Sequence, residues 1–106
     1  MSQGDRKVLH VVAIIEARPG QRDALLAAIR DNLAAVRAEH GCLEYGPAVD
    51  HAGSFAPLGH DAVVVIEKWA DIDALKAHGA APHMAAFGAR VKDIVASRAV
   101  HVLEPR

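Results

Sequence analysis

Residues 8–17 have the sequence VLHVVAIIEA and are followed by Arg18-Pro19-Gly20. Five of these ten residues are valine or isoleucine, whose branched side chains favour strands. A Pro-Gly pair is typical of a turn that closes a strand. The stretch therefore predicts a buried first strand, which the rest of the chain must cover.

Residues 21–40 predict an amphipathic helix that follows this turn. Its apolar residues recur at helical spacing and share one face: Leu25, Ile29, Leu33 and Val36. Charged residues occupy the other side, and Gly41 is well placed to end the helix. We expect the apolar face to pack on the sheet.

Two further strands follow the helix. Residues 42–51 (CLEYGPAVDH) predict a second strand, in which Gly46-Pro47 indicates a bulge or an edge position. Residues 52–60 are rich in turn formers, and residues 62–69 (AVVVIEKW) form the clearest strand pattern in the chain. The two strands are expected to form a hairpin with a long loop.

The C-terminal third predicts a second helix and a short last strand. Asp71 suits a helix N-cap, and the helix is expected to break between Gly79 and Pro82. Beyond the break, helical spacing continues through Met84, Phe87, Val91, Ile94 and Val95. Residues 99–103 (AVHVL) then predict a short fourth strand.

The resulting order is β-α-β-β-α-β, an α+β fold of the ferredoxin-like type with an antiparallel sheet. The 106 residues fit a single domain, with its core at about residues 8–103. Both helices should lie on one face of the sheet, yet strands one and three are apolar on both faces. An uncovered apolar face usually marks an interface, so we expect a homodimer packed sheet against sheet.

Composition excludes several classes of partner. Lys and Arg number 12 and Asp and Glu 13, which gives a formal net charge of -1 and no basic cluster for nucleic acid or an anionic membrane. The single Cys42 forms no disulfide within the chain and has no evident base beside it. The N-terminal MSQGDRK does not resemble a signal peptide, so we expect a cytoplasmic protein.

Several short motifs gain significance from their order and spacing. They are Pro19-Gly20, the run from Arg37 to Tyr45 (RAEHGCLEY) with Asp50 after it, the run from Ile66 to Asp71 (IEKWAD), Ala74-Leu75, His78, and Pro82-His83-Met84. Over about residues 8–103 this combination resembles the antibiotic biosynthesis monooxygenase family, most closely its small quinol-monooxygenase-like members.

The resemblance implies a dimeric α+β barrel with a pocket in each subunit, between the helices and the concave sheet face. Members of the family oxygenate electron-rich phenols, anthrones or quinols with dioxygen and without metal or flavin, so the expected cofactor is none. A haem-degrading branch uses an Asn on strand one, a Trp on strand three and a His on helix two. Here Trp69 matches, but Ala13 and Phe87 take the other two places, which disfavours haem cleavage.

The seven histidines invite a metal interpretation, because imidazole is a common metal ligand. They lie on different predicted elements, and no HExxH or paired-cysteine motif is present. The only local pair is His78 and His83, on either side of the predicted helix break. We therefore expect no metal site.

His78 and His83 are the candidate catalytic residues. His78 should lie near the pocket mouth, where a histidine is suited to proton abstraction near neutral pH. The alternative for His78 is a residue that interacts with the last carbonyls of its helix. The alternative for His83 is an ordinary surface or capping position.

Five residues are candidate substrate contacts: Trp69, Tyr45, Glu67, Phe87 and Phe55. Trp69 is expected either to stack on a flat ring or to pack in the core. Tyr45 and Glu67 lie on neighbouring strands, where they either meet in the pocket or form a surface pair. Phe55, in the long loop, is a candidate lid or dimer contact.

These residues leave three functional hypotheses open. The first is a cofactor-independent monooxygenase acting on a quinol or polycyclic phenol, with His78 as base. The second is an isomerase-like enzyme that moves protons on a small hydroxy-carbonyl compound with His78 and His83. The third is a dimeric module that binds a small aromatic molecule without turnover.

Overall fold

The protein is described here by a computed structural model covering residues 7–106. Its helices and strands are β1 (Leu9–Ala17), α1 (Arg22–Arg37), β2 (Cys42–Ala48), β3 (Ala62–Trp69), α2 (Ile72–Ala80), α3 (Pro82–Val91) and β4 (Val95–Leu103). Residues 1–6, which contributed to the predicted location, lie outside the described range. Within that range, no helix is both long and apolar enough to cross a membrane.

The four strands form one antiparallel sheet in the order β2-β3-β1-β4. β1, one of the two central strands, pairs with β3 from Leu9 to Glu16 and with β4 from His10 to Ala17. This topology confirms the predicted α+β fold of the ferredoxin-like type, with one difference. The second helix of that pattern is divided into α2 and α3, as the Gly79 to Pro82 break predicted.

The three helices cover one face of the sheet, which we call the inner face. In β1 the buried residues alternate with half-buried ones, so that every second side chain enters the core. The inner-face residues of β1 are Leu9, Val11, Ala13, Ile15 and Ala17. From α1, Leu25, Ile29 and Val36 pack against them, at the helical spacing seen in the sequence.

Local chemistry fixes the ends of the elements. Gly20 adopts a left-handed backbone conformation (φ 78°), and its N–H donates to the carboxylate of Asp61. Asp71 caps α2 by accepting from the backbone N–H of Ala74 at 2.8 Å, as predicted. Ala81, with an extended backbone, separates α2 from Pro82, the first residue of α3.

The predicted C-terminal boundaries were wrong. The helix ends at Val91 instead of continuing through Val95, and β4 begins at Val95 rather than at residue 99. The backbone N–H of Arg18 donates to the carbonyl of Ile94, and Val95 pairs with Ala17. Because strand pairing to β1 satisfies these backbone groups, it outweighs the helical spacing of the side chains.

The outer face of the sheet carries an apolar surface that no helix covers. Its residues on the two central strands are Val12, Ile14, Val64 and Ile66, of which Ile66 is 46 % exposed. Leu103 of β4, paired with His10, extends the same surface. The structure thus bears out that both faces of β1 and β3 are apolar while the helices cover only one.

Candidate active site

A cavity of about 320 Å³ lies between the inner face of the sheet and the helices. This volume falls at the lower end of the range typical of small-molecule sites. Most of its wall is apolar: Val11, Ala13, Ile15, Ile29, Val65, Leu75, Gly79, Met84, Phe87 and Val100. Its polar lining consists of Tyr45, Glu67, His78 and Arg98. A flat apolar molecule with a few oxygens suits such a wall.

His78 lies in the last turn of α2 and is buried, with one edge on the cavity. Its Nδ1 is 2.7 Å from Oε2 of Glu39, which follows the end of α1. Its ring packs on Trp69 at a centroid distance of 4.6 Å and an interplanar angle of 36°. The contact with Glu39 requires a proton on Nδ1, since a carboxylate only accepts, and Nε2 is then left free to take a proton.

Glu67 and Tyr45 form a directly paired couple on β3 and β2. Both side chains are buried, Glu67 to 6 % exposure, so the interpretation as a surface pair was wrong. Oε1 of Glu67 accepts a 2.9 Å hydrogen bond from Nε1 of Trp69. The two residues therefore place a carboxyl group and a phenol side by side in the cavity wall.

Burial controls the ionisation of both groups. It raises the pKa of Glu67, and the hydrogen bond from Trp69 and the nearby His78 oppose this only in part. The pKa of Tyr45 is raised well above its usual range by burial and then by Glu67 and Glu39. Tyr45 is therefore a neutral hydrogen-bonding phenol near neutral pH, and Glu67 holds its proton to a higher pH than an exposed glutamate does.

His83 lies beside this arrangement, in the first turn of α3. Its Nε2 is 3.4 Å from Oε2 of Glu39, and its ring centroid is 6.5 Å from that of His78. Neither ring nitrogen makes a hydrogen bond to another described residue. His83 lines a shallow groove between α1 and α3 instead of the cavity. His83 thus lies next to Glu39, the carboxylate partner of His78, and does not line the cavity.

The remaining candidates, Phe87, Trp69 and Phe55, lie at different distances from the cavity. Phe87 lines the cavity. Trp69 is fully buried behind the cavity wall, where it contacts His78 and Glu67, so the interpretation as a core residue is confirmed and Trp69 does not itself line the cavity. Phe55, in the loop between β2 and β3, is fully exposed, and within one chain it does not reach the cavity.

Two residues of the site were not foreseen from the sequence. Glu39 belongs to the Arg37 to Tyr45 run, but nothing in that run indicates its contact with His78, which is 39 residues away. The predicted fourth strand began at residue 99 and therefore did not include Arg98. Pairing β4 from Val95 would have placed Arg98 on the inner face, opposite Ile15.

Other chemistry finds little support among residues 7–106. No group of three or more His, Cys, Asp or Glu there has a geometry suited to a metal ion. Burial raises the pKa of the Cys42 thiol, with Glu39 and Glu67 adding to the effect, so Cys42 is not activated as a nucleophile. The polar groups of the cavity instead suit proton transfer and hydrogen bonding.

Comparisons with known proteins agree with this geometry. Residues 8–90 match the family described as antibiotic biosynthesis monooxygenase. The chain is 39 % identical, over 102 residues, to the Escherichia coli K12 protein named "Probable quinol monooxygenase YgiN", covering 92 % of this chain and 98 % of that protein.

Solved structures show the same fold. PA3566 from Pseudomonas aeruginosa superposes with a TM-score of 0.80 at 29 % identity, covering 94 % of this chain and 95 % of that one. Rv0793 from Mycobacterium tuberculosis gives a TM-score of 0.78, also at 29 % identity, covering 93 % and 95 % of the two chains. The chain therefore belongs to the antibiotic biosynthesis monooxygenase family.

Proposed function

We propose that the protein is a monooxygenase that oxidises a quinol or polycyclic phenol with dioxygen, using electrons from the substrate itself and no metal or flavin. The observation that carries this proposal is the Glu39–His78 pair at the edge of an apolar cavity. A base with one nitrogen held by a carboxylate suits removal of a phenolic proton. The name of the E. coli relative supports the same class of substrate.

The reaction follows from the residues present. His78 Nε2 takes a proton from a ring hydroxyl, and the resulting phenolate passes one electron to dioxygen. The ring radical and superoxide combine to form a C–O bond, and the peroxide takes up the proton from His78. The O–O bond then breaks as the ring carbon loses its hydrogen. One oxygen stays on the ring as a carbonyl and the other leaves as water.

Three residues around His78 have supporting roles in this scheme. Glu39 holds Nδ1 and stabilises the positive charge that the ring gains as it accepts a proton. Glu67, whose pKa is raised by burial, can donate a hydrogen bond from its protonated form to a substrate oxygen. Tyr45 provides a second neutral donor beside it.

The aromatic wall and the assembly complete the proposal. Phe87 lies against the substrate ring, and Trp69 supports the polar groups from behind. A homodimer forms through the outer face, since this apolar surface resembles an interface more than a solvent-facing sheet. In that dimer Phe55, at the exposed end of its loop, contacts the second subunit or closes its cavity.

Oxygen uptake tests the proposal. Metal-stripped protein is given naphthalene-1,4-diol with superoxide scavengers present, and the product is analysed after reaction under ¹⁸O₂. We expect uptake above the protein-free rate, one labelled oxygen in the product, and a loss of about 100-fold or more in kcat for His78→Asn. His60→Asn, at an exposed loop histidine, is the matched control. Uptake equal to autoxidation for several quinols and phenols would exclude the monooxygenase.

A further inference from the structure

Arg98 is an exposed cationic residue that lines the cavity and forms no ion pair with another residue of the described range. It lies on the inner face of β4, across from Ile15, and lines the cavity beside Val100. Among residues 7–106 its guanidinium takes part in no ion pair, whereas Arg90 holds the carboxylate of Asp31 at 2.8 Å. A guanidinium is charged at all physiological pH values and presents a planar fork of donors. In a mostly apolar wall, such a group is suited to bind an anion.

Arg98 and Glu67 lie at opposite corners of the inner face. Glu67 pairs with Val11, and Arg98 pairs with Ile15, so two strand spacings and four residues of strand separate them. With strands about 4.8 Å apart and a rise of about 3.4 Å per residue, their backbone positions are roughly 17 Å apart. The cavity therefore has an acid–base end and a cationic end, with apolar residues between.

This separation of charge defines a class of ligand. The acid–base end, with His78, Glu67 and Tyr45, suits ring hydroxyls and contains no Lys or Arg that would bind an anion. The cationic end suits a carboxylate, which matches a guanidinium in shape and can bind it through two hydrogen bonds. The apolar wall suits a fused ring system between these ends.

We propose that the ligand of this cavity is an aromatic hydroxy compound with a carboxylate-bearing side arm, and that Arg98 binds that carboxylate. Arg98 then determines the orientation of the molecule in the cavity, so that the ring hydroxyl meets His78. This inference rests on the proposed function, because it specifies the substrate class of the same cavity.

Binding of two redox-inert probes tests this role without any turnover. The probes are 3-(naphthalen-2-yl)propanoate and its primary amide, which have nearly the same shape but differ in charge and in the second acceptor oxygen. Isothermal titration of the full chain, in its native assembly, should show the carboxylate binding about tenfold more tightly than the amide. In Arg98→Met the two probes should bind about equally. Arg98→Lys should keep part of the preference, since an ammonium binds a carboxylate without the planar fork.

Arg90→Met is the matched control, because it removes the same charge from the outer side of α3. The inference is overturned if Arg98→Met still prefers the carboxylate probe or if Arg90→Met loses this preference to the same extent. It is also overturned if the unmodified protein binds the two probes equally or binds neither. Oxygen uptake with uncharged naphthalene-1,4-diol is measured on the same samples. Uptake without a carboxylate preference defeats only the role of Arg98, and a carboxylate preference without uptake defeats only the monooxygenase.

Discussion

Oε2 of Glu39 lies 2.7 Å from Nδ1 of His78, although the two residues are 39 positions apart in sequence. Glu39 follows the end of α1, and His78 lies in the last turn of α2, so the contact depends on how these two helices are set on the sheet. A half-buried carboxylate on one ring nitrogen fixes the tautomer and leaves the other nitrogen as a base. The pair is thus the part of the site that tertiary structure alone creates.

Glu39→Gln should lower kcat about 10- to 100-fold while KM changes little, because the amide still accepts from Nδ1 but no longer stabilises the imidazolium. Steady-state oxygen uptake over a range of quinol concentrations measures both constants. Glu104→Gln, at an exposed glutamate paired with Arg106, is the control. An unchanged kcat in Glu39→Gln would show that Glu39 has only a structural role.

Glu67→Gln should change how stability depends on pH. Burial raises the pKa of Glu67 in the folded state, so the folded protein binds this proton more tightly than the unfolded chain. The stabilisation is complete below the ordinary glutamate pKa and is lost as pH rises through the raised value. Glutamine removes this loss and still accepts from Trp69.

Thermal unfolding followed from pH 4 to pH 8 measures the effect. The Glu67→Gln protein should gain Tm relative to the unmodified protein as pH rises through this window. A Tm difference that stays constant across the window would mean that Glu67 has the same pKa in both states.

Trp69→Phe should lower the free energy of unfolding by about 2–4 kcal/mol, from a lost buried hydrogen bond and a smaller ring in the core. The bond lost is the 2.9 Å contact to Glu67. Since the chain has one Trp, circular dichroism should follow denaturation. In a double-mutant cycle with Glu67→Leu, which removes the acceptor, we expect a coupling above about 0.5 kcal/mol. If the effects of the two substitutions on the free energy of unfolding are strictly additive, the hydrogen bond between Trp69 and Glu67 does not contribute to stability.

Patterns local to one element were predictable from the sequence. The bounds of β3, the Asp71 cap and the break before Pro82 follow from strand propensity, side-chain hydrogen bonding and the missing proline N–H. The pairing of Tyr45 with Glu67 also followed from the hairpin. These features depend on residues that are close in sequence or on the register between two consecutive strands.

Features set by distant contacts were not predictable. The start of β4 depends on pairing with β1, and the helical spacing through Val95 indicated the wrong boundary. That error removed Arg98 from consideration. Glu39 was missed because the packing of α1 and α2 brings it to His78, and no spacing in the sequence encodes that contact.

Ile66→Glu should dissociate the proposed dimer, because it places a charge in the centre of the apolar outer face. The dissociation constant should rise by about 100-fold or more. Sedimentation velocity over a range of protein concentrations measures it, with Lys76→Glu on exposed α2 as the control. If the unmodified protein is monomeric, the proposed dimer does not form. If Ile66→Glu remains dimeric, the interface does not lie on this face.

Gly41→Ala should lower the free energy of unfolding by about 2–4 kcal/mol, since a methyl group there meets a neighbour that cannot move aside. A Cβ on Gly41 would lie 2.5 Å from Cβ of Ala74, and the backbone at Gly41 is left-handed at φ 82°. Gly20→Ala is the control, because its φ is 78° but no atom lies within 4 Å of the added Cβ; backbone strain alone should then cost about 1–2 kcal/mol. Ala74 is one helical turn before His78, so the clash should also move His78 from Glu39 and reduce kcat. Equal losses of stability in the two variants would show that close packing of α2 at Gly41 contributes nothing beyond backbone strain.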